Sequence, residues 1–157
     1  MEFVPVSLGE IKISRDAQDI LVCYGLGSCV AVCLYDKATK TAGMFHCVLP
    51  GSNGTAKRDW RYANTGVPVL IDRMIKKGAM KFRLKAKIAG GARVLKVNNP
   101  LFDIGSRNIE AVRGALKANL IEVVSEEVGS HISRTVKFHV SDGSVVITTR
   151  MSGERKI

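Results

Sequence analysis

Aromatic residues, acidic residues and long hydrophobic runs are all scarce in this 157-residue chain. Only 6% of the residues are aromatic, and 14 acidic residues stand against 24 lysines and arginines, which gives a formal net charge of +10. The longest uncharged run, residues 20–35, is shorter than the roughly 20 residues that a membrane helix needs, and it contains two glycines. We therefore expect no direct membrane insertion, and two buried strands joined by a turn explain the run better.

Several signatures of function are also missing. No glycine pattern leads from a strand into a helix as in dinucleotide-binding folds, and no G-x-S-x-G motif occurs. The net charge favours an acidic partner. Because aromatic residues are few and no nucleic-acid module is recognisable, we predict that this partner is not a nucleic acid.

The four cysteines do not form a CxxC pair, and they cluster inside apolar runs at positions 23, 29, 33 and 47. A secreted disulfide scaffold distributes its cysteines through loops, so this placement indicates free thiols in a reducing cytoplasm. The absence of an apolar signal segment after Glu2 supports the same localisation. Zinc binding by Cys29, Cys33, His46 and Cys47 is disfavoured, because adjacent strand residues such as His46 and Cys47 point to opposite faces.

The chain is predicted to form a single domain, 1–157, of the α/β class (α+β type). Short apolar segments separated by turns predict strands near 3–6, 11–13, 21–24, 30–35, 44–49, 81–88, 120–124, 135–140 and 144–149. Apolar residues at helical spacing from Val67 predict one helix, capped by Asn64 or Thr65 and closed by Gly78, and a second is predicted to start near Gly105. This order indicates a layered sandwich with a mixed, largely antiparallel sheet core and two main helices.

A small-residue turn, residues 25–29, ends in Cys29, and His46 ends a later apolar run. Such a turn lets a substrate approach the sulfur, and the backbone N–H groups at Gly27 and Ser28 can face a developing oxyanion. Together, the cysteine and the histidine have the composition of a nucleophile–base pair. The residues alone leave a second interpretation open, in which Cys29 is an inert thiol and His46 a structural histidine.

Two basic segments are candidate docking surfaces. One is the loop that carries Lys57, Arg58 and Arg61, and the other is the alternating segment 81–88, which includes Lys85 and Lys87. Both are equally compatible with a solvated connector and with a solvated strand face whose lysines protect a sheet edge.

At these residues the chain resembles the CheD family of chemotaxis proteins, which are chemoreceptor glutamine deamidases. The matching segments are, in family order, 25–30, 43–50, 61–65, 87–92, 104–108 and 129–134, followed by a final hairpin. The resemblance implies a fold similar to the catalytic domain of cytotoxic necrotising toxins. It also implies hydrolysis of selected glutamine side-chain amides on methyl-accepting chemotaxis receptors, without a cofactor, with Cys29 and His46 as the catalytic residues.

The chain departs from the family pattern at one site position. The family usually has a threonine six residues before the nucleophile as the third catalytic residue, and Cys23 stands at that place here. Because a thiol is a weak hydrogen-bond acceptor, backbone carbonyls could orient His46 instead. The departure leaves an alternative function open, a catalytically weak adaptor that binds receptors or the phosphatase CheC, a partner of the family in some species.

Overall fold

The computed structural model describes residues 1–51, 59–93 and 103–157. Ten strands and two α-helices follow one another along these residues. In chain order they are β1 (Glu2–Pro5), β2 (Ile11–Ser14), β3 (Asp19–Leu26), β4 (Val30–Asp36), β5 (Thr41–Cys47), α1 (Ala63–Lys76), β6 (Lys85–Gly90), α2 (Ile104–Ala118), β7 (Glu122–Val128), β8 (Arg134–His139), β9 (Val145–Thr149) and β10 (Gly153–Lys156).

The strands form two five-stranded sheets rather than one. Sheet A has the order β1-β3-β8-β9-β10, and sheet B has the order β2-β5-β4-β6-β7. Each sheet contains one parallel pair, β1 with β3 and β6 with β7, and its other pairs are antiparallel. The predicted fold class, a layered α+β sandwich with mixed, largely antiparallel sheets and two main helices, is therefore confirmed.

Sheet B lies in the middle and is buried on both faces. Val30, Val32 and Leu34 of β4 pack towards the helices, whereas Ala31 and Cys33 pack towards sheet A. Successive side chains of a strand point to opposite faces, so β4 contributes to both cores. This double burial explains why β4 is apolar at consecutive positions instead of alternating with polar ones.

Both helices were predicted from their apolar stripes, and both cover the outer face of sheet B. Helix α1 begins after Tyr62 rather than at Asn64 or Thr65, and Gly78, with φ of +107°, follows its end. Helix α2 begins after Asp103, whose side chain accepts a hydrogen bond from the Ser106 N–H at 3.2 Å. None of the helices in the described residues is long and apolar enough to cross a bilayer.

The predicted strand 81–88 is wrong at its start. Residues Lys81–Arg83 form a short 3-10 helix, and the Phe82 side chain is 75% exposed. The cause lies in the buried Asp36 carboxylate, which accepts hydrogen bonds from the Met80 N–H and the Arg83 guanidinium, both at 2.9 Å. Strand β6 then runs between β4 and β7, so its lysines do not protect a sheet edge.

Two further differences concern polar segments. Leu120, predicted to start a strand, has φ of +60° and is exposed, and β7 begins two residues later and extends to Val128. Strand β10, which was not predicted, is exposed at all four of its residues. Such a strand carries no alternation of buried and exposed positions from which it could be recognised.

Candidate active site

The register of β4 and β5 brings Cys29 and His46 to the same region. Val30 pairs with Cys47 and Ala31 pairs with His46, so Cys29 lies one diagonal step from His46. Diagonal neighbours in an antiparallel pair are about 7–8 Å apart, which is within reach of an aromatic ring such as the imidazole. Both side chains lie on the face of sheet B that points to sheet A, whereas Cys47 packs towards the helices.

The His46 imidazole is held by a backbone carbonyl. Its Nδ1 lies 2.9 Å from the Val6 oxygen, and Val6 is itself fixed because its N–H donates to the Val22 oxygen at 2.8 Å. A carbonyl oxygen can only accept, so Nδ1 must carry the hydrogen and Nε2 the lone pair. Nε2 is buried and has no hydrogen-bond partner among the described residues. Nε2 of His46 is therefore available to accept a proton.

Burial sets the resting charges of the two side chains. It lowers the pKa of His46 below the ordinary 6.5, and the Val6 carbonyl and the Glu10 carboxylate oppose this effect only in part. Cys29 is half-buried, and burial raises the pKa of its thiol above the ordinary 9.0. Near neutral pH His46 is accordingly a neutral imidazole and Cys29 a protonated thiol, and within the described residues no hydrogen bond joins the two.

The turn before β4 is held through its carbonyl groups. The Gly27 oxygen accepts from the Ala92 N–H and the Cys29 oxygen from the Gly91 N–H, both at 2.8 Å. The Ser28 oxygen accepts from the Asn108 side chain at 2.9 Å. In contrast, the N–H groups of residues 27–29 find no acceptor in the described part of the chain. Among the described residues, the turn that ends in Cys29 therefore has backbone donors without an acceptor, as an oxyanion site requires.

Cys23 does not orient the imidazole. It is fully buried in β3, and its thiol donates to the Met44 sulfur at 3.4 Å. Burial raises its pKa well above 9.0, and the neighbouring Cys33 and Cys29 add to this effect. At the position where the family usually has a threonine, this chain thus has a buried cysteine that contacts Met44. The Val6 carbonyl is the group that holds His46.

The sequence allowed a backbone carbonyl to orient His46 without identifying it, and Asn108 was not predicted as part of the site. The Val6 carbonyl is a backbone group brought in by sheet A, and no residue pattern announces it. Asn108 donates to the Ser28 and Val48 oxygens, each at 2.9 Å. It lies in segment 104–108, which carried part of the family resemblance, so that motif was the available signal.

The predicted docking residues are mostly engaged with other groups. The Arg61 guanidinium binds Asp59 at 2.5 Å, Lys85 binds Glu122 at 2.7 Å, and Lys87 donates to the Ile157 oxygen at 2.9 Å. Lys57 and Arg58 lie outside the described residues. Within the described ranges, no three histidine, cysteine, aspartate or glutamate side chains lie close enough together to hold a metal ion.

Comparison with known proteins places the chain in a family. The model of the CheD family, described as CheD chemotactic sensory transduction, matches residues 48–149. The chain is 42% identical to the probable chemoreceptor glutamine deamidase CheD of Symbiobacterium thermophilum, over 97% of this chain and 95% of that protein. The chain is 36% identical to the chemoreceptor glutamine deamidase CheD of Thermotoga maritima, over 96% of this chain and 94% of that protein. It is 39% identical to the chemoreceptor glutamine deamidase CheD of Bacillus subtilis, over 98% of this chain and 95% of that protein. These matches run through nearly the whole length of each relative, and the chain therefore belongs to the CheD family.

Proposed function

We propose that this protein hydrolyses the side-chain amide of selected glutamines in chemotaxis receptors, with Cys29 as nucleophile and His46 as general base. Relatives that cover nearly the whole chain are named chemoreceptor glutamine deamidases. The observation that carries the proposal is the His46 ring, whose Nδ1 is tied to the Val6 carbonyl while its buried Nε2 has no partner among the described residues. A buried acceptor without a partner costs about 1–3 kcal/mol, and a role in accepting the thiol proton explains why His46 carries this cost.

The first half-reaction forms a thioester. His46 Nε2 takes the proton from the Cys29 thiol as the sulfur attacks the carboxamide carbon. The free N–H groups around Gly27 and Ser28 stabilise the negative charge on the amide oxygen. His46 then returns its proton to the nitrogen, the carbon–nitrogen bond breaks, and ammonia leaves.

The second half-reaction consumes water. Neutral His46 takes a proton from a water molecule as the water oxygen attacks the thioester carbon. The carbon–sulfur bond then breaks, the proton returns to the Cys29 sulfur, and a glutamate side chain is released. Every step thus uses protons carried by His46 and Cys29, and the enzyme ends in its starting state.

The adaptor alternative depended on Cys23 in place of threonine. Its argument was that a thiol leaves His46 without an orienting acceptor. The Val6 carbonyl occupies that role at 2.9 Å, and a carbonyl oxygen is the better acceptor. This contact favours the enzyme over an adaptor that binds receptors or CheC without turnover.

Charge supports an acidic partner. The net charge of +10 suits the cytoplasmic domains of receptors, and such complementarity speeds encounter more than it strengthens binding. Arg61 packs beside Gly9, whose N–H donates to the His46 oxygen, so this predicted docking residue lies close to the His46 strand. A role for Lys57, Arg58, Lys85 and Lys87 in docking, binding of CheC and a cytoplasmic location remain predictions from the sequence.

The test uses a receptor cytoplasmic fragment and peptide mass spectrometry. Wild-type protein should convert selected glutamines to glutamates, seen as the small mass increase from NH2 to OH together with released ammonia. Cys29→Ala should give no conversion, and Cys33→Ala, which alters the cysteine within β4, is the matched control that should retain it. Conversion by Cys29→Ala at the wild-type rate would refute the proposal.

A further inference from the structure

We propose that Asn108 is a positioning residue for the deamidation reaction, which holds the Cys29 turn and the His46 strand at a fixed separation. The inference rests on the proposed function. It is drawn from the two hydrogen bonds through which a single side chain joins the backbone next to Cys29 to the backbone beyond His46.

The two bonds lie where the β4–β5 ladder ends. Its last pair is Val30 with Cys47, and beyond it the Val48 N–H turns away to the Arg61 oxygen at 2.9 Å. The Ser28 and Val48 oxygens are therefore left without a partner from the opposite strand. Asn108 Nδ2 donates one hydrogen to each of them, at 2.9 Å in both cases, and so replaces the missing rung.

The orientation of the amide is fixed by its partners. Both partners are carbonyl oxygens, which only accept, so the NH2 group must face them. The Asn108 carbonyl Oδ1 is consequently buried and has no partner within the described residues. The unpaired Oδ1 atom lowers the stability of the fold, because a buried acceptor without a partner is unfavourable. Unfavourable features of this kind, here a buried polar atom without a partner, are typical of functional sites.

Helix α2 places this amide with little freedom. Asn108 is completely buried in the second turn of the helix. At Gly105, a Cβ would lie 2.5 Å from the Gly91 and Ala92 oxygens, so the helix start packs directly on the segment after β6. That segment also donates to the Gly27 and Cys29 oxygens. Asn108 thus completes a set of contacts that fix all three carbonyls of residues 27–29.

Asn108 therefore fixes the position of the Cys29 sulfur relative to the His46 imidazole, which the β4–β5 ladder alone does not do. A displacement of about 1 Å between reacting groups can lower a rate about 100-fold. Loss of the Asn108 amide should therefore lower kcat and leave KM nearly unchanged, because the receptor-binding surface is not altered. A purely structural asparagine would instead lower the unfolding temperature without this effect on turnover.

The experiment compares Asn108→Ala with Val112→Ala. Val112 is also fully buried, lies one turn further along α2, and contacts the helix-facing core rather than the Cys29 turn. We expect Asn108→Ala to lose at least about tenfold in kcat on the receptor fragment, with KM within about threefold. Val112→Ala should have a reduced unfolding temperature but a kcat within about twofold of wild type at a temperature where both variants are folded.

The outcomes are separable. A wild-type protein that converts no glutamine overturns the proposed function and this inference together. An active wild type with an equally active Asn108→Ala overturns only the inference, as does a kcat loss of the same size in Val112→Ala. If circular dichroism shows that Asn108→Ala is unfolded, Asn108→Ser, which retains one donor, takes its place under the same kcat and KM criteria.

Discussion

The resting protonation of Cys29 can be measured by alkylation of the native protein over a range of pH. Burial raises the thiol pKa above 9.0, and it lowers the pKa of His46, so the imidazole is a poor counter-ion. Because the ionised fraction falls tenfold for each pH unit below the pKa, less than about 1% of Cys29 should be thiolate at pH 7. The rate of reaction with iodoacetamide should therefore rise about tenfold per pH unit from about pH 6 to about pH 9.

The other cysteines are internal controls. Cys23, Cys33 and Cys47 are at most 2% exposed, so peptide mass spectrometry should find the early label on Cys29 alone. Cys29→Ala should remain unlabelled over the same period. Label on the three buried residues would indicate that the fold opens during the assay.

An alkylation rate that does not change between about pH 6 and about pH 8 would refute this reasoning. It would indicate a stable thiolate–imidazolium pair, as in thiol enzymes whose cysteine pKa is strongly depressed. The deamidation rate offers an independent check. It should fall as the pH drops through the His46 pKa, below 6.5, because protonated Nε2 cannot accept the thiol proton.

Three substitutions test other parts of the structure. Cys23→Thr should retain kcat within about threefold of wild type, because Cys23 does not bind His46, and a much larger loss on the receptor fragment would give the thiol a role of its own. Burial opposes ionisation of Asp36, but Arg83 and backbone N–H groups hold its pKa at about 2, below the ordinary 3.8. This contribution is complete above about pH 4, so in urea unfolding between about pH 4 and about pH 2 Asp36 should account for about 2 kcal/mol of the stability that wild type loses, and Asp36→Asn should lose less than wild type by about that amount. Gly66→Ala should lower the free energy of unfolding by about 1–3 kcal/mol, because its Cβ would overlap the Phe45 ring, and an unchanged unfolding temperature would contradict that packing.

The helices and the central strands were predictable because their residues repeat with the period of the structure they form. Val67, Leu70, Ile71 and Met74 are spaced for one helix face, and all are buried against sheet B. The start of β6 was not predictable in this way. Residues 81–88 alternate as a strand does, yet Lys81–Arg83 turn into a 3-10 helix because Asp36, far away in sequence, binds both Met80 and Arg83.

The sequence by itself determined the fold class, through the order and periodicity of its apolar segments, and the CheD resemblance, through short motifs that include Cys29 and His46. Only the tertiary structure decided which group holds the imidazole, which nitrogen carries the lone pair and what bridges the segments that carry Cys29 and His46. The Val6 carbonyl reaches His46 because sheet A packs on sheet B, and Asn108 reaches Ser28 and Val48 because α2 packs on the end of β4 and β5. Such contacts join residues distant in the chain, and a backbone carbonyl is identical at every position, so no local pattern of side chains specifies them.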